Sequence, residues 1–333
     1  MQACVIRRFG GPEVFEQADL PQPEPGPRDV LIHVAATSLN PVDTKIRSGL
    51  LKTIAPAFPA VLHGDVAGVV KKVGIEVDTF QPGDEVYACA GGVKGLPGAL
   101  REYMTADADL VARKPVSLDM REAAALPLVG ITAWEGLARA GVRAGAHVLV
   151  HGGTGGVGHV AQQLARAKGA QVTTTNGSDD KCALAKELGC HEAVNYNTED
   201  IVDSVQRITA GKGFNVVFDT VGGPVLDKSF AACALNGTVA AIATRGAHDL
   251  STMHSKGLSL HVVFMLLPML YNTGRAEHGR ILKEVAGLVD DKQVRPLIDP
   301  HTFTFGEAAA AHTLLESGGA VGKIVLTNPA FTG

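Results

Sequence analysis

Apolar and polar positions follow two different patterns along the 333 residues. Up to about residue 120, short alternating or β-branched runs are separated by turn sequences rich in glycine and proline, such as "QPGDE". The runs read "DVLIHVAATSL", "AGVVKKVG", "DEVYAC" and "ADLVARKP". Runs of this length, bounded by such turns, predict strands. This part of the chain is therefore expected to form a partly open β-barrel or sandwich.

From about residue 121, apolar runs alternate with helical segments. The segment "SLDMREAAAL" predicts a helix with Ser117 as its N-cap and Glu122 in an early turn. The predicted strands that follow are "AHVLVHG", "AQVTTT", "EAVNY", "NVVFDTV", "GTVAAIA" and "LSLHVVF", and the first of them are connected by the helical segments "GHVAQQLARAKG" and "KCALAKELG". Repeated βα units of this kind predict an α/β fold with a doubly wound parallel sheet. The tail predicts a helix in "GRILKEVAGLVDD" and a last strand in "GKIVLT".

The most apolar stretch is "LSLHVVFMLLPMLY", residues 258–271. It is too short to span a bilayer, and it contains His261 and Pro268. We interpret it as a buried strand followed by a segment that lines a pocket or an interface. A further interpretation of Met265 and Leu266 is that they are ordinary core residues.

Composition narrows the class of protein. A net charge of −4, with only 5% aromatic residues, gives no basic surface for nucleic acid or for an anionic membrane. The five cysteines are an odd number without CxxC spacing, which favours reduced thiols in the cytoplasm over a disulfide framework. The first residues, "MQACVIRRFGGPEV", lack the apolar core of a signal peptide.

A glycine-rich turn carries the strongest local signal. The segment "VLVHGGTGGVGHVAQQLARAKGAQV" contains a GxGxxG pattern, formed by Gly153, Thr154, Gly155, Gly156, Val157 and Gly158. An apolar strand leads into the pattern and a helix leaves it. Glycines at these positions permit a sharp turn and the close approach of a pyrophosphate to the N-terminus of the helix. The segment therefore predicts a dinucleotide site, and the competing interpretation is a tight structural turn.

The end of the next strand bears on which dinucleotide binds. An NAD-binding chain places Asp or Glu there to bind the ribose 2′-hydroxyl group. This chain has Asn176 and Ser178 in that region, and Lys181 follows. Small polar groups and a lysine suit a 2′-phosphate, so the sequence favours NADPH. The alternative is that Lys181 only solvates a helix face, while Asp179 and Asp180 repel a phosphate.

Motifs along nearly the whole chain resemble the medium-chain dehydrogenase/reductase superfamily, in its zinc-free quinone oxidoreductase-like branch. They are "NPVDTKIRSG", "GDVAGVVKKVG", "PGDEVYA", "AAALPLVGITAWEGL", the glycine turn, "VFDTVGG" and "GKIVL". The resemblance implies a GroES-like catalytic domain over residues 1–122 and a Rossmann domain that binds NADP over 123–264. Residues 265–333 are expected to return to the catalytic domain, and a homodimer is expected.

The same resemblance bears on zinc. Zinc-dependent members of the superfamily take ligands from three places, which align here with Asn40, Gly64 and Leu128. His63 is one residue away from the second place. A catalytic zinc needs three protein ligands of Cys, His or carboxylate type, so we expect no metal. Without a Lewis acid, alcohol oxidation is disfavoured, whereas hydride transfer to a quinone or an α,β-unsaturated carbonyl stays accessible.

The resemblance also implies site residues. Asn40 is suited to donate a hydrogen bond to a carbonyl or a ribose hydroxyl, and Lys45 to hold the nicotinamide ribose or donate to a developing enolate. Thr132 resembles a threonine beside the nicotinamide ring, and Asp43 is expected to anchor its loop. Each of these residues has a structural alternative, because Asn-Pro is a turn former and Lys45 fits a solvated surface charge.

Further cofactor contacts are expected at Tyr196, Gly222, Ala243, Thr244 and Lys323. The predicted function is therefore NADPH-dependent reduction of a quinone or an enone, with a small apolar electrophile as substrate. Two alternatives remain open, namely a zinc-type alcohol dehydrogenase and a non-catalytic NADPH-binding protein.

Overall fold

The structure is a computed structural model that describes residues 1–332. Its strands are β1 (Gln2–Ile6), β2 (Phe15–Asp19), β3 (Asp29–Ser38), β4 (Ala60–Val61), β5 (Asp65–Val73), β6 (Glu85–Cys89), β7 (Tyr103–Asp107), β8 (Val111–Arg113), β9 (His147–His151), β10 (Gln171–Asn176), β11 (Glu192–Asn195), β12 (Phe214–Asp219), β13 (Cys233–Ala241), β14 (Ser259–Val262), β15 (Phe303–Thr304) and β16 (Val325–Thr327).

The α-helices are α1 (Pro41–Arg47), α2 (Met120–Ala124), α3 (Pro127–Arg139), α4 (Gly156–Ala167), α5 (Asp179–Glu187), α6 (Ile201–Thr209), α7 (Pro224–Ala232), α8 (Ser251–Lys256), α9 (Leu267–Tyr271), α10 (Arg275–Asp290) and α11 (Ala308–Glu316). Four short 3-10 helices cover Pro12–Val14, Lys52–Ile54, Ala108–Leu110 and Phe305–Glu307.

The contacts between residues divide the chain into two units. The first contains residues 1–128, 266–292 and 296 onward, and the second contains 129–265 and 293–295. The first boundary therefore lies six residues after the expected end at 122, and the second one residue after 264. The tail belongs to the first unit except for residues 293–295.

The first unit is built on antiparallel sheets, as the alternating runs predict. A sheet of seven strands has the order β15-β16-β3-β5-β6-β8, with β7 also paired to β3. A second sheet has the order β2-β1-β4. The ten residues of β3 are buried except at their first position, which lets this strand pair with β5, β7 and β16. Tyr87 is fully buried on β6, and its hydroxyl donates to the carbonyl of Leu282 on α10 over 2.5 Å.

The second unit is a parallel sheet of six strands in the order β11-β10-β9-β12-β13-β14. The chain runs from β9 outward to β10 and β11, then returns to place β12 on the other side of β9, as in a doubly wound α/β fold. Phe214, Phe230, Leu149 and Val217 are fully buried within one cluster of apolar residues. The predicted α/β class is therefore confirmed for this part of the chain.

Two local predictions are wrong. The helix α2 has Asp119, not Ser117, as its N-cap, because Asp119 and Glu122 form a reciprocal capping box. Ser117 instead donates to the carboxylate of Asp290 over 2.7 Å. The strand β14 is not buried: it is the last strand of its sheet, and its residues are exposed or half-buried. No helix among residues 1–332 is both long and apolar enough to cross a membrane.

Candidate functional site

A buried polar network lies where β3 ends and α1 begins, in the first unit. Its centre is Asp65, the first residue of β5, which is fully buried. One carboxylate oxygen, Oδ2, accepts hydrogen bonds from Ser38 Oγ and Asn40 Nδ2, both over 2.7 Å. The other oxygen, Oδ1, accepts from the backbone N–H of Leu128 over 2.8 Å. The carboxylate therefore connects β5 to the start of α1 and to the first turn of α3.

Lys323 supplies the positive charge of this network. Its ammonium group lies 3.5 Å from Asp65 Oδ2 and donates to the carbonyl of Leu39 over 2.8 Å. It also donates to Asn40 Oδ1. An ammonium has three N–H donors, and these three oxygens match that number. Lys323, which is predicted to contact the cofactor, is 2% exposed, and the structure brings it together with Asn40.

Burial shifts the protonation of the charged groups here. It raises the pKa of Asp43 to about 7, and the nearby charge of Asp65 acts in the same direction. A hydrogen bond from the backbone N–H of Asn40 to Asp43 Oδ2, 2.8 Å long, opposes that rise. Burial lowers the pKa of Lys323, while the carboxylates of Asp65 and Asp43 oppose this change. The network thus keeps an ammonium buried by surrounding it with oxygen atoms.

Lys45 and Asn40 differ sharply in exposure although they are five positions apart. Asn40 is 1% exposed and precedes α1 as its N-cap residue. Lys45 lies in the last turn of α1 and is exposed. Among the expected catalytic residues of the first unit, Lys45 is therefore the one whose side chain is available to an external ligand. Asp43 anchors the start of α1 through Asn40, as expected.

His63 takes no part in this network through its side chain. Its backbone has a positive φ of 68°, and its Nε2 atom lies 3.0 Å from Nε2 of His312 on α11. Both imidazoles are fully buried. Burial lowers the pKa of His63 to about 3 and that of His312 well below its ordinary value, so both rings are neutral. One ring then donates to the other.

Of the three positions that align with zinc ligands, two make other hydrogen bonds and the third has no space for a side chain. Asn40 is bonded to Asp65 and Lys323, and the backbone of Leu128 donates to Asp65. A Cβ atom at Gly64 would lie 2.9 Å from the carbonyl oxygen of Gly91 and 3.1 Å from Cys89 Sγ, so a histidine does not fit there without a shift. Among residues 1–332, no three His, Cys, Asp or Glu side chains gather as metal ligands do.

The glycine turn of the second unit has the predicted order of strand, turn and helix. The strand β9 ends at His151, Gly152 has a positive φ of 71°, and α4 begins at Gly156 with Gly155 as N-cap. A Cβ atom at Gly158 would lie 2.0 Å from the carbonyl oxygen of Gly152, and one at Gly153 would lie 2.5 Å from Thr174. These two glycines are required by packing.

Gly155 differs from its neighbours. It is exposed, and a Cβ atom there would meet only the carbonyl oxygen of Gly152, at 3.2 Å. Gly156 and Val157 form the first turn of α4, and Thr154 is buried. The N–H groups of the first turn of a helix have no partner within the helix and attract anions. The open side of this turn therefore fits a pyrophosphate.

Polar groups collect at the end of β10, in the same unit. Asn176 is 2% exposed, its Nδ2 donates to Thr174 Oγ1, and its Oδ1 has no hydrogen-bond partner among the described residues. Ser178 is the N-cap of α5, where its hydroxyl oxygen accepts the N–H of Lys181 over 3.2 Å. A Cβ atom at Gly177 would lie 2.6 Å from the hydroxyl of Tyr196, so this ring stands against the turn.

Tyr196 itself is 59% exposed, and Lys181 is half-buried. The structure thus brings Asn176, Ser178, Lys181 and Tyr196 to one end of the sheet. Asp179 and Asp180, which oppose an anion, are exposed in the first turn of α5. Asp179 accepts a hydrogen bond from Asn195 over 2.7 Å.

The remaining expected residues lie in the second unit, three of them at other strand ends and Thr132 on a helix. Gly222 follows β12, and a Cβ atom there would lie 1.9 Å from the carbonyl oxygen of Ala243, so this glycine is required by a close backbone contact. Ala243 and Thr244 follow β13 and are half-buried. Thr132 is buried on α3.

Sequence reasoning missed two buried carboxylates. Asp65 is one, and the other is Asp219 at the end of β12, whose Oδ1 accepts the N–H groups of Val221 and Gly222, both over 2.8 Å. Both are charged residues within otherwise apolar segments, "PAVLHGDVAGVV" and "NVVFDTVGG". A carboxylate in such a segment is buried only when it is paired, which is the signal that points to such networks.

Two protein families and two related proteins match this chain. Residues 26–116 match the alcohol dehydrogenase GroES-like domain family, and residues 188–326 match the zinc-binding dehydrogenase family. A quinone oxidoreductase of Sus scrofa is 33% identical, over 98% of this chain and 97% of that protein. An NADPH-dependent alkenal/one oxidoreductase, chloroplastic, of Arabidopsis thaliana is 35% identical, over 98% of this chain and 79% of that protein.

Solved structures agree as well. The crystal structure of an alcohol dehydrogenase superfamily protein from Novosphingobium aromaticivorans has a TM-score of 0.93 and 39% identity, over 98% of this chain and 99% of that chain. The fold and the matches define an oxidoreductase with a GroES-like domain and a Rossmann domain. The chain belongs to the medium-chain dehydrogenase/reductase superfamily, in its zinc-free quinone oxidoreductase-like branch.

Proposed function

We propose that this protein reduces a quinone or an α,β-unsaturated carbonyl compound with NADPH and without a metal ion. The observation that carries the proposal is the buried network around Asp65. At the three positions where zinc-dependent relatives hold ligands, this chain has Asn40, Gly64 and Leu128. Hydrogen bonds to Asp65 engage the first and third, and the second has no space for a side chain. The place of the metal is thus taken by polar contacts of the protein.

The cofactor assignment rests on residues of the second unit. The open turn at Gly155 and the first turn of α4 fit a pyrophosphate. Asn176, with its unpartnered Oδ1, fits a ribose hydroxyl, and Ser178 and Lys181 fit a 2′-phosphate. Gly222, Ala243, Thr244 and Thr132 are proposed to line the rest of the cofactor site. The relative from Arabidopsis thaliana is named as NADPH-dependent, which supports the same choice.

For this reaction the protein needs mainly to position the reactants and to donate hydrogen bonds. When bound, NADPH supplies a hydride. In an enone the hydride adds to the β-carbon, and negative charge then develops on the carbonyl oxygen. In a quinone the charge likewise develops on oxygen. A preorganised donor at that oxygen lowers the barrier, and a proton from the protein or from water completes the reduction.

We assign the donor role to Lys45. Its ammonium group is exposed on α1, whereas Asn40 is buried and its carboxamide is bonded to Lys323 and Asp65. A lysine can donate a hydrogen bond to the developing oxyanion and can also supply the proton. Because the carboxamide of Asn40 is bonded in this way, we assign Asn40 a supporting role at the start of α1. One of its two amide hydrogens remains beyond the contact with Asp65.

The first experiment measures NADPH oxidation by protein treated with a chelator. A simple quinone is compared with an open-chain enone, and both assays are repeated with NADH. Turnover that survives chelation supports the proposal, and the faster acceptor identifies the substrate class. A requirement for added zinc, with oxidation of alcohols, would favour the zinc-type alcohol dehydrogenase instead. Tight NADPH binding without turnover would leave a non-catalytic NADPH-binding protein.

We also propose that the protein forms a homodimer through the edge of its parallel sheet. The strand β14 is the last in the sheet, and apolar side chains at its end are exposed: Val262 is 49% and Phe264 41% exposed. Edge strands with exposed apolar groups pair readily with a second copy. Val262→Lys should shift the molecular mass in solution, measured by ultracentrifugation, towards a monomer. A wild-type monomer would contradict the proposal.

A further inference from the structure

Asp65 and Lys323 form a buried ion pair in the first unit, with 3.5 Å between the ammonium and Asp65 Oδ2. Burying a carboxylate and an ammonium is costly even when they are paired, because both lose their hydration. Asp65 is 0% exposed and Lys323 is 2% exposed. A pair of apolar residues would fill the same volume at a lower cost in free energy. The pair therefore invites a functional explanation.

Most contacts of the pair lie on one short segment of the chain, and Asp65 also accepts the backbone N–H of Leu128 over 2.8 Å. Asp65 accepts from the side chains of Ser38 and Asn40, and Lys323 donates to the carbonyl of Leu39 and to Asn40 Oδ1. Residues 38–40 are consecutive, and they connect the end of β3 to the start of α1. The pair thus fixes three successive residues immediately before the helix.

The helix α1 is short and depends on this anchor. It has only seven residues, and a helix of that length has little stability of its own. The side chain of its N-cap, Asn40, is bonded to Asp65 and Lys323. Asn40 and Asp43 also form a capping box, in which the backbone N–H of Asn40 donates to Asp43 over 2.8 Å. Lys45 projects from the last turn of this helix. The position of the Lys45 ammonium therefore depends on where residues 38–40 are held.

We propose that Asp65, with Lys323 as its counter-ion, is a positioning residue of the reduction, which acts through residues 38–40 and α1 on Lys45. This inference rests on the proposed function, because it assigns Asp65 a part in placing the donor of that reaction. Misplacement of a catalytic group by about 1 Å costs on the order of a hundredfold in rate, so a loosened anchor should be visible in kcat. Binding of NADPH involves the second unit and should change little.

The test is a double-mutant cycle between Asp65 and Lys45. Asp65→Asn keeps the shape but replaces one acceptor oxygen by an NH₂ group, so a donor in the network loses its acceptor. We expect kcat for the faster acceptor to fall about tenfold, with the KM for NADPH unchanged within about twofold. In the Lys45→Ala background, Asp65→Asn should lower kcat by less than about twofold, because both changes affect one group.

The matched control is Asp107→Asn in the same unit. Asp107 also accepts a backbone N–H, that of Asp109, and pairs with a cation, Arg275, over 2.9 Å. This change should leave kcat unchanged in both backgrounds. If Asp65→Asn does not fold, Ser38→Ala removes only one donor to Asp65 Oδ2 and keeps both charges. It should lower kcat about threefold in the wild type but not in the Lys45→Ala background.

The outcomes separate this inference from the proposed function. A wild-type protein without turnover refutes both. A wild-type protein with turnover refutes the positioning role alone if Asp65→Asn and Ser38→Ala leave kcat unchanged. Effects that multiply fully with that of Lys45→Ala also refute it, since a purely structural role would act independently of Lys45.

Discussion

At the scale of single residues, exposure divides the side chains that the motif "NPVDTKIRSG" provides. Asn40 and Asp43 are buried and bonded to the protein, whereas Lys45 is exposed on the same short helix. A buried carboxamide whose oxygen accepts from Lys323 is not free to reorient around a substrate. An exposed lysine keeps three donors on a flexible stem. We therefore propose different tasks for the two ends of this motif, support at Asn40 and hydrogen-bond donation at Lys45.

A substitution of Lys45 tests this division. Lys45→Ala should lower kcat at least about tenfold, roughly 1.4 kcal/mol in activation free energy, because the donor to the developing oxyanion is lost. Lys45→Arg should retain part of the rate, since it keeps the charge and the donors. The measurement is steady-state NADPH oxidation with the faster acceptor. Lys52→Ala, at an exposed lysine nearby, serves as the control and should leave kcat unchanged. Equal rates for Lys45→Ala and the wild type would remove Lys45 from the mechanism.

At the same scale, the proposed preference for NADPH rests on Lys181. It lies in the first turn of α5, next to the N-cap Ser178. A hydrogen bond between charged groups contributes about 1.5–3 kcal/mol, so Lys181→Ala should raise the KM for NADPH roughly ten- to a hundredfold. The KM for NADH should not change. Lys186→Ala, on the last turn of the same helix, is the matched control. A similar rise in KM for both cofactors would show that Lys181 does not bind the 2′-phosphate.

At the scale of elements, the glycines of the turn divide into those required by packing and one proposed to lie beside the cofactor. Gly158 is packed against the carbonyl of Gly152, whereas Gly155 is exposed beside the helix N-terminus. Gly158→Ala should therefore lower the melting temperature, since its Cβ would lie 2.0 Å from a backbone oxygen. Gly155→Ala should change the melting temperature little but weaken NADPH binding at least about tenfold, because its methyl group occupies the space of the pyrophosphate. Thermal unfolding and fluorescence titration measure the two effects. Normal NADPH affinity in Gly155→Ala would place the pyrophosphate elsewhere.

An element can be predicted from the sequence when the residues that determine it lie close together in the chain. The order of β9, turn and α4 could be predicted, because an apolar run, glycines and a helical period lie within one short segment. The start of α2 was misplaced by two residues, since both Ser117 and Asp119 are N-cap residue types and only the contact with Glu122 selects Asp119. The exposure of β14 depends on its being the last strand of the sheet, which no local pattern specifies.

The network around Asp65 could not be predicted from the sequence, because its residues are far apart along the chain. The network involves Ser38, Leu39, Asn40, Leu128 and Lys323, and up to 284 positions separate residues that are in contact, as for Lys323 and Leu39. Each partner has an ordinary local explanation, such as a turn former or a surface charge. Only the pairing of β3 with β5 and β16 brings them together. The sequence identified Asn40 and Lys323 as site residues but not the carboxylate that joins them.

At the scale of the whole molecule, buried histidines couple the fold to pH. His63 and His312 are fully buried and face each other, and His151 is 3% exposed on β9. Burial is the first cause that lowers the pKa of each, to about 3 for His63 and about 4 for His151. The charges of Lys323 near His63 and of Arg47 near His312 act in the same direction. The folded protein therefore holds these rings neutral, in the second unit as well as in the first.

The consequence is a loss of stability in mild acid. A histidine in the unfolded chain has a pKa near 6.5, so the unfolded state binds protons below that pH while the folded state does not. These histidines should lower the free energy of unfolding as the pH drops from 6.5 towards 4, whereas the raised pKa of Asp43 acts in the opposite direction over part of the same range. Each fully buried neutral histidine contributes about 1.4 kcal/mol per pH unit in that range. Urea unfolding at a series of pH values measures the slope.

Variants assign that slope to the histidine pair. His63→Asn combined with His312→Gln removes both titrating rings, and the slope between pH 6 and 4.5 should fall by about 2.8 kcal/mol per pH unit. Asn tolerates the positive φ at position 63 better than most residues, so the backbone there is retained. The comparison uses the slope and not the absolute stability, because the substitutions also change packing. A slope that does not change in the double variant would mean that the acid sensitivity of the fold arises from other groups.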